Sequence, residues 1–427
     1  MNFKLMHPRD QIVMIMERIY RYGMTTTSGG NLSIVDESGD LWITPAGFDK
    51  GSITARDIVC VRKNGDIEGI HKPSSEYPFH LAVHQRRPDV RAVLHAHPAA
   101  LVACSIAHKL PDTRLMPQVE YICGKAGYAP YALPGSEKLG ANIADVFAEG
   151  HNTVMLENHG IVTVGETLFE AFQRFETLDF CARIDLKARR LGEVSPLTEA
   201  QLGLLRKSRN LLPEFEPPTH SSDEKALRKQ MCAMIHRAYD HRLITSMGGT
   251  FSARVGEDEF LVTPNGLDRK YLEEGDLILI RNGEREAGKT PSRSVWMHRK
   301  IYQTHSGINT IVIAHPVNVM AFAVSGTPFD ARTIPESYYV LRDIPVLAYG
   351  TQFMDTDAVA GTLSEKTPVI LVENDCLIVT GGDLLQAFDR LEVADFSANA
   401  LIQAGVLGDV KPITEEQVAE LHEAFKF

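Results

Sequence analysis

The sequence predicts an α/β fold, a sandwich of helices on a largely antiparallel sheet, which occurs twice in tandem. The chain has 427 residues, too many for one ordinary hydrophobic core. Long segments of the first half reappear in the second half in the same order. Within each half, short alternating segments typical of hairpin strands are interleaved with segments of helical periodicity, and this combination indicates helices packed on a sheet.

The internal repeat covers most of the chain. TSGGNLSIVDESGDLWITPAG reappears as TSMGGTFSARVGEDEFLVTPNG, LHAHPAALVACSIA pairs with IAHPVNVMAFAVSG, and LENHGIVTVGETLF pairs with VENDCLIVTGGDLL. Because the order of the matches never changes, the pattern indicates duplication of a whole domain and not a short solenoid repeat. The proline-containing segment LPEFEPPTHSSDE predicts the boundary. We therefore expect domain one over 1–212, a linker over 213–221 and domain two over 222–427.

Local patterns place the first elements of domain one. Apolar residues at Ile12, Ile15, Met16 and Ile19 predict an amphipathic helix. The segments NLSIV, LWITP and DIVCVRKNGDIEG predict strands, the last of them turning at Asn64-Gly65. RAVLHAHP reads as a further strand that ends at a proline.

Composition excludes several classes of partner. The net charge is −11 and no long run of Lys or Arg occurs, so a nucleic acid backbone would be repelled. No stretch reaches the roughly 18 apolar residues that span a bilayer, so we expect no membrane partner. Charged residues interrupt the N-terminal segment, which argues against a signal peptide. The six cysteines form no CxxC pair, a pattern typical of reduced thiols in a cytoplasmic protein.

The strongest local signal for chemistry is His95-Ala-His97 at the end of a predicted strand. Residues two apart on a strand share a face, so both imidazoles can reach one cation, although this pair alone fits two ordinary structural histidines equally well. His159 in LENHG and Glu76 in KPSSEYPFH add a third imidazole and a carboxylate. Three neutral imidazoles with an open fourth position form a catalytic zinc arrangement, in which a nearby carboxylate serves as base or ligand.

The segments SGGNLS, ITPAG, KPSSE, HAHP, YAPYALPGSEKL and LENHG occur in the order found in the class II aldolase/adducin family, and the chain most resembles the family's aldolases of L-fuculose 1-phosphate. The resemblance covers nearly all of domain one and implies the family's three-layer α/β/α head-domain fold. It implies Zn²⁺, or another divalent metal, held by His95, His97, His159 and Glu76. It further implies Glu76 and Tyr121 as catalytic residues, and Gly30, Asn31, Gly47, Ser74 and Ser75 as the substrate's phosphate-binding cradle.

The resemblance implies a lyase that cleaves a ketose 1-phosphate reversibly into dihydroxyacetone phosphate and an aldehyde. Glu76 would act as general acid/base, and Tyr121, reaching a neighbouring subunit's site, would protonate the aldehyde oxygen. A sugar-phosphate 4-epimerase, a dehydratase or decarboxylase, and a non-catalytic adducin-like interaction protein are the alternatives. Glu76 favours the aldolases over the epimerases, which typically carry Asp there. Ala46 stands where family aldolases commonly place a hydroxyl residue, so a substrate without phosphate stays open.

Domain two keeps the frame but not the metal ligands. Its matched residues are Ser294 for Glu76, Ile313 for His95, His315 for His97 and Asp375 for His159. Since isoleucine cannot ligate a metal, we expect this copy to be catalytically silent. Family members assemble as rings, which implies a homo-oligomer, dimer or tetramer, with sites between domains. In such a ring Tyr339, which aligns with Tyr121, would serve a neighbouring metal site.

Overall fold

The computed structural model describes residues 3–206 and 211–425, and these divide into two compact units. The first unit contains the described residues up to Thr113 together with Gln118–Arg183. The second contains Arg114–Pro117 and the described residues from Ile184 onward. The predicted linker 213–221 contributes a strand to the second unit's sheet. The domain bounds at 212 and 222 stay predictions, and the boundary between the compact units lies earlier in the chain.

The first unit alternates helices and short strands. Its elements are α1 (Pro8–Arg21), β1 (Asn31–Val35), β2 (Leu41–Ile43), β3 (Val59–Val61), β4 (Ile67–Glu68), α2 (Tyr77–Arg86), β5 (Ala92–Ala96), α3 (Ala99–Ile106), α4 (Pro117–Cys123), β6 (Gly127–Ala129), α5 (Glu137–Ala148), β7 (Thr153–Leu156), β8 (Ile161–Gly165) and α6 (Leu168–Ala188), which contains the boundary. The predicted first helix is confirmed, with Ile12, Ile15, Met16 and Ile19 fully buried.

The eight strands form one sheet in the order β4-β3-β2-β1-β5-β8-β7-β6. Every pairing is antiparallel except β6 with β7, so the predicted largely antiparallel sheet is confirmed. The predicted turn at Asn64-Gly65 joins β3 to β4. Gly65 has φ of 93°, a conformation that glycine adopts without strain.

Helices cover both faces of this sheet. Ser33 of β1 faces α2, where it contacts two histidines, so its neighbours Leu32 and Ile34 point to the opposite face. Helix α1 contacts β1 and β2, and its buried apolar residues cover that face. On the α2 face, α2 and α5 pack together over β5, β7 and β8 through Phe79, Phe147 and their neighbours.

The second unit repeats this arrangement. Its elements are α7 (Glu199–Arg206), β9 (Glu214–Phe215), α8 (Ser222–Asp240), β10 (Thr250–Gly256), β11 (Glu259–Val262), β12 (Ile278–Arg281), β13 (Glu284–Glu286), α9 (Val295–Thr304), β14 (Thr310–Ala314), α10 (Val317–Ser325), α11 (Pro335–Leu341), β15 (Val346–Leu347), α12 (Thr351–Met354), α13 (Thr356–Thr362), β16 (Val369–Val372), β17 (Cys376–Gly381), α14 (Leu384–Leu407) and α15 (Glu415–Phe425).

The nine strands of the second sheet are ordered β15-β16-β17-β14-β10-β11-β12-β13-β9. The core of the repeat keeps its register: Thr250 pairs with Ile313 as Asn31 pairs with His95. The structure therefore places the matched residues of the two copies at equivalent sheet positions. Within the described part of the chain, no helix combines the length and the hydropathy required to cross a membrane.

Candidate metal centre

Three histidines meet at one end of the first sheet. His95 lies in β5, His97 follows that strand, and His159 lies in the turn between β7 and β8. Their candidate ligand atoms all lie within 4.8 Å of one another. The ring centroid of His95 lies 4.6 Å from that of His97 and 4.8 Å from that of His159. Among the described residues, this is the one group of three or more His, Cys, Asp or Glu side chains close enough together to hold a metal ion.

Two glycines allow the backbone to approach the histidines. A Cβ at Gly160 would lie 2.7 Å from the carbonyl oxygen of Ala96 and 2.7 Å from Cδ2 of His97. Gly30 has φ of 75°, and a Cβ there would lie 2.8 Å from the carbonyl oxygen of His95. Any larger residue would displace the strand that carries the HxH pair.

Hydrogen bonding and burial leave His95 and His97 each with a neutral ring and an available Nε2 lone pair. The Nδ1–H of His95 donates to the carbonyl oxygen of Ile161 at 2.9 Å, which leaves Nε2 as the free acceptor. Nε2 of His95 and Nε2 of His97 are both buried without a hydrogen-bond partner among the described residues. Burial, and then the neighbouring imidazoles, lower the pKa of each of these two histidines to about 3. Both rings are therefore neutral at pH 7.

Glu76 completes the cluster from the start of α2, where it is the N-cap residue. Its Oε2 lies 3.4 Å from Nε2 of His95, and its Oε1 lies 3.8 Å from Nε2 of His159. Tetrahedral ligation at about 2.1 Å separates ligand atoms by roughly 3.4 Å. Oε1 is also buried without a hydrogen-bond partner in the described structure. These unsatisfied buried acceptors converge at metal-ligand spacing, so the residues fit a divalent cation.

The predicted phosphate-binding residues come from three neighbouring loops. A bridge between Pro45 and Pro73, with the amide of Ser74 donating to the carbonyl of Thr44 at 3.0 Å, joins the loop of Gly47 to the start of α2. The hydroxyl oxygen of Ser74 accepts from the amide of Glu76 at 3.3 Å, whereas Ser75 is exposed. The structure therefore brings the two serines and the glycine loop next to Glu76.

The side chain of Asn31 makes contacts that the sequence analysis did not predict. Its Nδ2 donates to Oε2 of Glu76 at 2.7 Å, and its Oδ1 lies 2.5 Å from Nε2 of His80. Sequence separation hides this link, because the strand and the helix that carry these residues meet only in the folded sheet. One of the amide's two N–H donors is thus directed at the carboxylate and not at a phosphate.

Tyr121 lies on α4 and is 67% exposed, and the structure records no hydrogen bond from its hydroxyl to the described residues. A small cavity of about 70 Å³ lies beside His159 instead. Tyr131 and Pro134 line it, together with Glu157, whose carboxylate accepts from the amide of Tyr131 at 2.7 Å. The segment YAPYALPG supplies this wall, although no residue type in it indicated a cavity.

A buried cation lies at the base of the Gly47 loop. The ammonium of Lys50 donates to the carbonyl oxygen of Pro45 at 3.2 Å, and burial lowers its pKa to about 8. Domain two has Arg269 at the matched position, where the guanidinium donates to the carbonyls of Gly249, Pro264 and Leu267. Because both domains place a cation on the matched proline carbonyl, the contact points to a structural role in holding the loop.

A family model for the class II aldolase and adducin N-terminal domain matches residues 10–186 and again residues 229–402. The chain belongs to this family. The double match covers most of the chain and agrees with the repeated fold. Class II aldolases are typically dependent on a divalent metal, and the His95, His97 and His159 triad can bind one.

Relatives within the family differ in their named reactions. A 5-deoxy-D-ribulose 1-phosphate aldolase of Bacillus thuringiensis is 33% identical over 213 residues, 48% of this chain and 95% of the relative. A 3-oxo-tetronate 4-phosphate decarboxylase of Escherichia coli is 31% identical over 180 residues, 41% of this chain and 84% of the relative. A solved L-fuculose 1-phosphate aldolase is 33% identical with a TM-score of 0.42, over 46% of this chain and 93% of its own. Each match spans less than half of this chain.

In the second class II aldolase domain, the position matched to His159 takes part in a buried polar contact. The carboxylate of Asp375, at the position of His159, accepts from Nε2 of Gln352 at 2.9 Å. Leu347 pairs with Val372 in domain two as Ala129 pairs with Leu156 in domain one. Gln352 and Pro134 lie equally far along the chain after these matched strand residues, so Gln352 is the counterpart of Pro134. The hydrogen bond therefore joins two positions whose counterparts, Pro134 and His159, line the cavity in domain one.

Asp375→Asn is expected to stabilise the protein at neutral pH. Burial raises the pKa of Asp375 to about 6, so the folded state binds a proton more tightly than the unfolded state. Stability therefore falls as pH rises from about 4 to about 6, and the cost, on the order of 3 kcal/mol at most, persists above that range. Asparagine removes the charge and keeps an oxygen for Gln352. We expect a melting temperature several degrees higher at pH 7.5, with the gain shrinking toward pH 5.

Thermal unfolding monitored by circular dichroism measures this effect. Asp409→Asn at an exposed position is the matched control and should change the melting temperature little. An equal gain at pH 5 and pH 7.5 would contradict the assignment to the buried charge of Asp375.

Proposed function

We propose that this protein is a zinc-dependent class II aldolase that cleaves a ketose 1-phosphate into dihydroxyacetone phosphate and an aldehyde. The observation that carries the proposal is the convergence of buried, unpartnered acceptors on Glu76, His95 and His97 beside His159. Three imidazoles and one carboxylate are a ligand set that zinc prefers, and such a set also accepts manganese, iron or cobalt. The aldolases among the relatives support the reaction class.

Metal and carboxylate have separate tasks in this proposal. A divalent cation held by His95, His97 and His159 would supply positive charge next to the oxygens where the charge of the enediolate develops. Glu76 moves the proton: its buried carboxylate removes a hydroxymethyl proton of dihydroxyacetone phosphate in the synthetic direction and returns it after cleavage. The buried surroundings exclude water from this transfer.

The phosphate would lie over the loops that carry Gly30, Gly47, Ser74 and Ser75. Backbone N–H groups of glycine turns and the N-terminus of α2 suit a dianion. The exposed hydroxyl of Ser75 can donate, and Ser74, whose oxygen accepts from the amide of Glu76, keeps its own O–H for donation. Ala46 offers no side-chain donor, so the backbone and the two serines would hold the phosphate.

A decarboxylase is the second candidate, because several relatives are named as 3-oxo-tetronate 4-phosphate decarboxylases. Loss of CO₂ from a 3-oxo acid that carries a hydroxyl on its second carbon leaves the same kind of enediolate as loss of an aldehyde from a ketose 1-phosphate. The two reactions differ in the group that departs. The aldehyde oxygen gains a proton when condensation makes it a hydroxyl and the hydroxyl loses that proton on cleavage, whereas CO₂ departs without a proton transfer. Tyr121 is the residue proposed to exchange that proton.

Tyr121 also supports the proposal of a homo-oligomer. Its side chain is two-thirds exposed in a single chain, which suits a residue that acts on a neighbouring domain's site. We further propose a cytoplasmic enzyme, since all six cysteines are buried thiols and not members of disulfides in the described structure.

The test is proton exchange on dihydroxyacetone phosphate in deuterated water, followed by NMR, with and without a panel of aldehydes. An aldolase exchanges one hydroxymethyl proton stereospecifically and forms a condensation product with an aldehyde. Tyr121→Phe is expected to keep exchange within about threefold and to slow condensation by roughly 100-fold, the usual contribution of a proton donor.

The alternatives give different results in the same assay. Exchange without condensation, combined with CO₂ release from a 3-oxo acid phosphate, would identify the decarboxylase. Absence of exchange from folded, metal-loaded protein would exclude an enediolate of dihydroxyacetone phosphate and the aldolase with it. Tyr339→Phe in the second domain tests whether that matched tyrosine contributes to condensation.

A further inference from the structure

A continuous chain of buried hydrogen bonds leads away from Glu76 into the core. Oε2 of Glu76 accepts from Nδ2 of Asn31 at 2.7 Å, and Oδ1 of Asn31 lies 2.5 Å from Nε2 of His80. Nδ1 of His80 lies 2.7 Å from the hydroxyl oxygen of Ser33, which lies 3.1 Å from Nε2 of His84. His80 and Ser33 are completely buried, and Asn31 is 4% exposed.

The chemistry of these groups fixes the direction of the bonds. Nδ2 of Asn31 donates to the carboxylate of Glu76, so the amide oxygen, at the other end of the same group, faces His80. That oxygen carries no hydrogen, so Nε2–H of His80 donates to it. Burial holds the pKa of His80 well below its usual value, so the ring is neutral and Nδ1 accepts from the Ser33 hydroxyl. The contact with Glu76 thus fixes the orientation of the amide, the amide oxygen fixes the tautomer of His80, and the hydroxyl of Ser33 donates to the ring nitrogen that remains.

Domain two retains only part of this series of hydrogen bonds. The hydroxyl oxygen of Ser252 lies 2.7 Å from Nδ1 of His298, as in the first copy. Thr250 replaces Asn31, however, and its hydroxyl lies 2.7 Å from that of Ser292. Nε2 of His298 is therefore buried without a hydrogen-bond partner among the described residues. The serine–histidine pair serves the fold in both copies, whereas the link to a carboxylate exists only where a glutamate is present.

We propose that His80 is a positioning residue for Glu76: through Asn31 it holds the carboxylate in the orientation that faces the three histidines. The sequence alone assigns His80 a structural role, because domain two has a matched histidine. The proposal adds a second role that this matched histidine lacks. It rests on the proposed function only for its effect on turnover, since its effect on the orientation of Glu76 can be measured without substrate.

Two substitutions of His80 test separately its two hydrogen bonds, the one to Ser33 and the one to Asn31. Asparagine places a polar group near Nδ1 and can keep the contact with Ser33, but it does not reach Asn31. Glutamine places its amide near Nε2 and can keep donating to Asn31. His298→Asn is the matched control, since it makes the same change in the domain where Nε2 of the histidine has no hydrogen-bond partner among the described residues to lose. Ser33→Ala, with Ser252→Ala as its control, provides a milder second pair if His80→Asn folds poorly.

The first readout is the visible absorption spectrum of the Co²⁺-loaded full-length protein, which reports the ligands and geometry of the cation. We expect His80→Asn and Ser33→Ala to shift the bands and to weaken Co²⁺ binding about 10-fold or more, the usual effect of removing a group that orients a ligand. His80→Gln, His298→Asn and Ser252→Ala should match the wild-type spectrum. Identical spectra for His80→Asn, Ser33→Ala and wild type would overturn the proposal.

The second readout is proton exchange on dihydroxyacetone phosphate by the metal-saturated variants. We expect His80→Asn to lower kcat about 10- to 100-fold with a smaller change in KM, and His80→Gln to restore most of it. A purely structural role would lower stability alike in His80→Asn and His298→Asn and leave kcat per folded site unchanged. Absence of exchange in the wild type would exclude the proposed function, while the Co²⁺ spectra would still decide the role of His80.

Discussion

Glu76→Gln is expected to abolish proton exchange on dihydroxyacetone phosphate while the protein stays folded and metal-bound. Glutamine has nearly the same shape and can still accept from Nδ2 of Asn31, but it cannot take up a substrate proton. Removal of a positioned general base costs roughly 10²- to 10⁴-fold, so exchange should fall by at least about 100-fold. The rate is measured by NMR as the loss of the hydroxymethyl proton signal in deuterated water.

The second domain supplies the control for this substitution. Ser294 occupies the N-cap position of α9, as Glu76 does for α2, and Ser294→Ala should leave exchange unchanged. Metal content is measured on each variant, so that loss of the base is separated from loss of the ion. Exchange by Glu76→Gln within about threefold of wild type would show that another group carries the proton.

The sequence predicted the fold well because its determinants are local or repeated. Alternation and hairpin turns indicated antiparallel strands, and the register of β1, β2, β5 and β8 confirms them. The internal repeat predicted two copies of one sheet order. The compact units were less predictable: the prolines after Leu212 suggested a linker, yet Glu214 and Phe215 form a strand paired with β13. A two-residue strand depends on a distant partner and leaves no periodic signal.

The candidate site was predictable to the extent that its residue types reveal chemistry. The HxH spacing and the glycine after His159 indicated three converging imidazoles, which the structure brings together. The orientation of Asn31 could not be predicted, since it depends on a contact with His80, 49 positions away, made when α2 packs on β1. The contact between Asp375 and Gln352 was hidden for the same reason: each residue alone reads as an ordinary polar side chain.

One metal ion per chain, and not two, is the expected stoichiometry, and His97→Ala should remove it. The two domains share one fold, so an ion that needed only this scaffold would bind twice. Ile313 offers no donor at the position of His95, and Asp375 is engaged by Gln352. Removal of an outer-shell partner already costs about 10- to 100-fold in metal affinity, so loss of an imidazole ligand should cost more than about 100-fold.

Elemental analysis after dialysis against a weak chelator measures the stoichiometry, and titration calorimetry of the metal-free protein gives the affinity. His315→Ala is the matched control, because His315 is the counterpart of His97 and directly follows β14 as His97 follows β5. We expect this variant to retain one ion with wild-type affinity. If His315→Ala lost metal, or if the wild type bound two equivalent ions, the second domain would hold a site of its own and could not be treated as silent.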